Sequence, residues 1–424
     1  MLKGMRFLLV VLFAACSAAC GDKGTIPTTT TNSTYSPSAP KGGQMGGAIQ
    51  NAPLPLATKD ISATTVSTVA GTAGSAGATN GVGSAARFNI VTGVTTDGKG
   101  NFYVTDFGNH TIRKIDATGN VTTIAGIAGS PGSNTVVFDS SGNQVVVSGA
   151  SALSAGSALF NNPSGITTDG NGNLYVADYN NSTIRRINIA NDATSTVTVL
   201  TIAGSPGVNA SVDATTGTDA RFNHPTDVTT DGVNLYVTDS NNLTIRKISL
   251  TDPKYPVTTI AGSQGAAGAN PPVGAAPVSG PNARFQFPAR ITTDGTNLYV
   301  TDFIKNTINM IDANGKVSTI AGTAGVTGAA DGDGAAASFS NINGITSDGT
   351  NLYVTDSNNH TVRKLVLLPS GIWRVTTIAG AVGTTGSTDG AGSAARFKFP
   401  IGITTDGNAL YVTDSNNYTI RKIQ

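Results

Sequence analysis

Five aspartates each stand seven residues before an arginine: Asp106 and Arg113, Asp178 and Arg185, Asp239 and Arg246, Asp356 and Arg363, Asp414 and Arg421. A carboxylate and a guanidinium at a fixed offset supply a charge-assisted clamp or, if several guanidinium groups are gathered, an anion-binding ring. Recurrence favours the clamp, because a device present in almost every copy of a unit serves the unit. Other reactive chemistry is thinly provided. The histidines are His110, His224 and His360, the cysteines are Cys16 and Cys20, and all 25 acidic residues are Asp. Without glutamate, Asp97-Gly-Lys-Gly-Asn101 and Asp331-Gly-Asp-Gly334 lack the bidentate ligand of a calcium loop. No nucleophile elbow of the G-x-S-x-G type stands out. We therefore expect no catalytic residues, no metal ligands and no cofactor.

The elements that position these residues recur. Tyr103-Val-Thr-Asp106, Tyr175-Val-Ala-Asp178, Tyr236-Val-Thr-Asp239, Tyr299-Val-Thr-Asp302, Tyr353-Val-Thr-Asp356 and Tyr411-Val-Thr-Asp414 mark six copies of one unit. The third copy shows the order best: Ala220-Arg-Phe, Val228-Thr-Thr-Asp-Gly232, Leu235-Tyr-Val-Thr-Asp239, Thr244-Ile-Arg-Lys-Ile248, Val257-Thr-Thr-Ile-Ala-Gly262. Four β-prone runs separated by turn signals predict a four-stranded antiparallel meander, with each Asp and its Arg side by side across a hairpin. The asparagines Asn109, Asn181, Asn242, Asn306, Asn359 and Asn417 are expected to bond turn backbone. A lone meander buries too little surface, so the copies must pack face to face. The sixth copy ends at its third strand, and Thr65-Val-Ser-Thr-Val-Ala-Gly71 supplies the missing fourth one. One deficit matched by one surplus predicts an all-β, six-bladed β-propeller closed by its N-terminal strand.

The units A-R-F-x-x-P, N-L-Y-V-T-D, T-I-R-K-I and V-T-T-I-A-G resemble NHL repeats, and the whole chain resembles bacterial lipoproteins carrying one NHL propeller. The resemblance covers residues 65–424. It implies anything from a ligand-binding or protein-binding platform to a lyase. Lyases of this architecture use several histidines around a metal in the central channel, whereas here only His224 adjoins an innermost strand. A metal-assisted lyase or hydrolase using His224 is thus an alternative reading, and a structural spacer in an envelope complex is another.

Departures from the repeat point to a site. The residue opening the inner strand is Gly93, Gly165, Gly344 and Gly402 in four blades but Asp227 and Arg290 in blades three and four. Blade four also departs from Ser-Asn-Asn at Phe303-Ile-Lys305 and carries Asn309 in place of the arginine. His224 and Phe287 occupy a variable position before the inner strand. His224, Asp227, Phe287, Arg290, Phe303 and Lys305 are therefore expected to converge on one loop face as a recognition patch, with Asp227 and Arg290 at the channel mouth.

At the N-terminus, Lys3 and Arg6 precede the apolar run Phe7–Ala15 and then small residues and cysteines, as in a lipoprotein signal. Cys20 (or Cys16) is the expected lipidation site. The domains are then 1–19 signal peptide, 20–62 a Thr/Ser/Pro/Gly-rich tether, and 63–424 the propeller. A formal net charge of +1 without long single-sign runs gives no basis for nucleic-acid binding. The expected protein is exported and membrane-anchored by lipid, and binds a protein or an envelope polymer. Of the interblade stretches, Val145-Val-Val-Ser148 is expected to form an extra strand, and Trp373 to lie at a partly exposed outer edge.

Overall fold

The computed structural model describes residue 61, residues 65–133, 158–189 and 197–424, and the backbone of Thr135–Phe138, Gln144–Val147 and Leu153–Ser154. All fall within one compact unit, Gln44–Gln424. The signal segment, both cysteines and the expected tether up to residue 60 lie outside the described residues.

Each alternating run becomes a strand, and each Asp-Gly turn reverses the chain to start the next. In blade three, Pro225–Thr230, Asn234–Asp239, Thr244–Ser249 and Val257–Gly262 pair antiparallel in chain order. The inner strands are Val91–Thr96, Pro163–Thr168, Pro225–Thr230, Pro288–Thr293, Ile342–Ser347 and Pro400–Thr405. Each lies beside the next, and the last returns to the first. The circle closes as expected: Thr65–Ala70 pairs with Thr419–Ile423, placing Val66 opposite Ile423 and Ser67 opposite Lys422. Beyond the four expected strands, five blades gain a two-residue outer strand from an interblade loop, such as Gly81–Val82 against Asn120–Ala125.

Alternate side chains of a strand point to opposite neighbours, so the core lies between blades. Phe88, Val104 and Ile115 of blade one pack with Tyr411 and Ile420 of blade six. Ile61 is buried with Val66, Tyr353 and Ile423. Trp373 is buried rather than edge-exposed, with its ring edge-on to Tyr299 of blade four at 5.8 Å. The expected extra strand forms, as Thr135–Phe138 pairs with Gln144–Val147.

Candidate functional site

The Asp–Arg pairs form, and they are internal. Arg246 Nη1 lies 2.7 Å from Asp239 Oδ2 with both side chains 0% exposed, and four other blades repeat the pair at 2.8 to 2.9 Å. A β-bulge falls at the arginine in each of blades one, two, three and five, between Ile245 and Arg246 in blade three. A bulge re-aims a side chain, and here the guanidinium lies over the Phe of A-R-F, 4.9 Å from the Phe222 centroid. Burial pushes the carboxyls of Asp106, Asp239, Asp356 and Asp414 up to about 6 against the opposing pull of arginine and asparagine. Five of the asparagines bond the Asp carboxylate and the entry loop rather than the turn backbone, and Asn306 bonds Thr327 and the Asn341 amide. Asn242 Nδ2 donates to Asp239 Oδ2 and to the Ala210 carbonyl in the blade's entry loop, each at 2.7 Å.

The rest of the motif is equally engaged. Tyr236 donates its hydroxyl to Asp231 of the Asp-Gly turn at 2.8 Å, while both oxygens of that Asp also accept turn N–H groups. The threonine crosses to the next blade: Thr105 Oγ1 donates to Ser164 O at 2.6 Å, and Thr355 Oγ1 to Ile401 O at 2.7 Å.

At the axis the six inner strands approach so closely that a Cβ at Gly344 would collide with the Ile401 carbonyl oxygen, and one at Gly165 with Asp227. In the four blades that have it, glycine permits this close approach. Asp227 and Arg290 break the pattern by filling the axis. Arg290 Nη1 lies 3.5 Å from Asp227 Oδ1, and the guanidinium donates to Thr226 O, Asn343 Oδ1 and, across the ring, Thr92 O. Asp227 Oδ2 accepts the Ile291 amide at 3.0 Å. Burial lowers the guanidinium's affinity for its proton and raises that of the carboxyl, and their mutual attraction opposes both shifts. One further departure belongs to this set. Blade two has Ala177 where other blades have the crossing threonine. In its absence Thr226 O receives Arg290 instead.

The loops entering each inner strand and the turns joining second to third strands do share one face. The Asn241 amide lies 3.1 Å from His224 Nδ1, and Phe287 meets Phe303 edge-on at 6.0 Å. The six residues differ, however, in what they offer a partner. Phe287, Phe303 and Arg290 are 1%, 5% and 5% exposed, and Asp227 is also buried. Only His224 and Lys305 reach the surface in part. Amides recur among the side chains this face does present: Asn180 and Asn358 are exposed, and Asn162, Asn223, Asn241, Asn341 and Asn416 are half-buried, as is Lys398.

Two features of this face escaped the reading of the sequence. Phe107 and Tyr179 stand where blades three, five and six have serines that bond the next inner strand, and they form an aromatic arc with His224, at 6.3 Å and 4.8 Å. The signal was aromatic residues replacing serine in two adjacent blades. Secondly, in blades one, two, four and five the left-handed residue after the turn latches onto the following blade. His110 Nδ1 accepts the Asn162 amide at 3.0 Å and His360 Nδ1 the Phe399 amide at 3.2 Å. Asn306 Oδ1 and Ser182 Oγ do the same for Asn341 and His224.

Blade four lacks the arginine, and its Asp302 instead accepts the amides of Gln286, Phe287 and Lys305 at 2.8, 3.1 and 3.2 Å. Asn309 bonds Asn270 and Thr319 in the arginine's place. In the Asp331-Gly-Asp-Gly334 turn, Asp331 accepts Arg363 and Thr377, and Asp333 pairs with Arg374. Among the described residues no three His, Cys, Asp or Glu side chains gather as metal ligands.

A ring of six antiparallel blades around a filled axis defines a six-bladed β-propeller. The NHL repeat family model matches residues 88–115 and 160–187, which belong to blades one and two. Together these support an NHL-type β-propeller. Among curated proteins none matches the chain. Solved structures with a similar fold include an auxiliary nutrient binding protein from Bacteroides thetaiotaomicron VPI-5482, at TM-score 0.58 and 18% identity over 85% of this chain and 76% of that one. A structural genomics protein of unknown function from the same organism gives 0.57 and 21% over the same shares. An auxiliary nutrient binding protein from Bacteroides ovatus ATCC 8483 gives 0.55 and 18%, again over 85% and 76%.

Proposed function

We propose that this protein is an exported, lipid-anchored propeller that binds a protein or an envelope polymer through its loop face without catalysing a reaction. The observation that carries this reading is the division of polar groups. Charged clusters are engaged inside blades or at the axis, whereas the loop face presents a belt of amides beside His224 and Lys305. Amides both donate and accept, and suit recognition of a neutral or weakly charged surface. The neighbouring fold of the auxiliary nutrient binding proteins accords with a binding role. Export and the anchor rest on Lys3, Arg6, the apolar run and Cys20 (or Cys16).

Asp227 and Arg290 are poor probes of this reading, because removing either strands a buried charge. A better test captures envelope components on the purified propeller carrying Asn180→Ala, Asn358→Ala and Lys305→Ala. Loss of capture, with capture retained by Lys99→Ala plus Lys422→Ala, is the expected result. The opposite pattern overturns the loop face as the site, and indifference to both sets favours a spacer.

A further inference from the structure

We propose that the axial cavity is a second ligand site, which takes the adjacent hydroxyls of a small neutral polyol or of the terminal unit of a sugar. A cavity of about 80 Å³ is lined by the inner strands. It lies on the Asp-Gly-turn side of the Asp227–Arg290 pair, since its lining runs from that position along each strand toward the turn. It is thus on the far side of the pair from the loop face, and the inference does not rest on what that face binds.

Its wall is built in layers. Val94, Ile166, Val228, Ile291, Ile345 and Ile403 form an aliphatic belt next to the ion pair, and Thr95, Thr167, Thr229, Thr292, Thr346 and Thr404 follow, one from each blade. The next residue along explains why this second ring is informative. Thr96, Thr168, Thr230, Thr293 and Thr405 each donate to a carbonyl of their own turn. The lining threonines make no such side-chain bond with the described residues. Yet Thr95, Thr229 and Thr346 are only 8%, 9% and 8% exposed. Thr167, Thr292 and Thr404 are half-buried, so solvent reaches the ring.

Six hydroxyls that each donate and accept, held around a cavity open to solvent and without side-chain hydrogen bonds to the described residues, suit a ligand that does the same. The charges beside them cancel, as Asp227 faces Arg290. An inorganic ion would lose hydration here without meeting a counter-charge, and a purely apolar ligand would leave the hydroxyls unpaired. A hydroxylated ligand meets this polar wall with its O–H groups against the threonines, while the aliphatic side chains behind it stay packed in the interblade core. Since a water occupies about 30 Å³, the cavity holds the volume of about two to three waters, room for one end of a polyol or of a sugar ring.

Calorimetry on the intact propeller tests this with glycerol, methyl glucoside and potassium chloride as separate titrants. Saturable binding of glycerol alone supports a free polyol, and tighter binding of the glucoside supports a sugar terminus. Thr229→Val with Thr346→Val keeps side-chain shape and is expected to weaken binding roughly tenfold or more, as two hydrogen bonds are lost. Thr229→Ser with Thr346→Ser keeps both hydroxyls and retains binding, while Asn180→Ala with Asn358→Ala leaves it unchanged. Absence of saturation with either polyol, preference for the salt, undiminished binding by the Val pair, or loss of binding in the Ser pair overturns the proposal.

Discussion

At the scale of the residue, the molecule depends on buried charge that meets a counter-charge. Arg246 illustrates it: the guanidinium meets Asp239, Asp213 and the Arg221 and Val212 carbonyls while lying over Phe222. Arg246→Met keeps much of the volume but leaves Asp239 buried without its counter-charge, which costs about 3–5 kcal/mol. Denaturant unfolding should show a midpoint shift of that size at constant slope, and a loss under about 1 kcal/mol would refute the account. Blade four shows how the same position manages without arginine, by giving Asp302 three backbone N–H groups. That arginine and aspartate would meet was legible from their constant offset. That Phe287 and Phe303 would turn inward was not, because variability in a repeat marks freedom from the blade's rule and says nothing about exposure.

At the scale of the element, adjacent blades are fastened by latches whose chemistry varies around the ring. Two are imidazoles, and burial holds both His110 and His360 below the ordinary value of 6.5. A lowered folded value means the unfolded chain binds the proton more readily. The stability these latches give is therefore complete above about pH 6.5 and is lost as pH falls through the folded values. Asn306 performs the same task without titrating. His110→Asn with His360→Asn should accordingly match the wild type in stability at about pH 7.5 and exceed it at about pH 5. Melting curves at the two pH values decide it, and parallel losses in both proteins would refute it. Strand order, turns and closure were legible in the sequence, since period-two alternation and Asp-Gly turns are local signals. The axial set was only half legible. Asp227 and Arg290 stand out as departures, but Arg290 also bonds Thr92, 198 residues away, and that proximity exists only once the ring has closed.

At the scale of the whole molecule, closure rests on one strand. Thr65–Ala70 completes blade six and places Val66 in the core between blades five and six. A chain truncated through Gly71 should lose its cooperative unfolding transition and regain it on addition of a peptide spanning residues 61–72; an unchanged transition without the peptide would show that closure is dispensable. The same pairing has a mechanical consequence. Thr65 and Gln424 exchange backbone hydrogen bonds at 3.0 and 3.1 Å, so the strand that opens the ring and the one that ends it lie side by side. A pull between the segment before Thr65 and the C-terminus therefore peels this pairing one rung at a time instead of shearing all rungs together. Under tension applied between its ends the disc behaves as a clasp, and blade six is the place where it springs open.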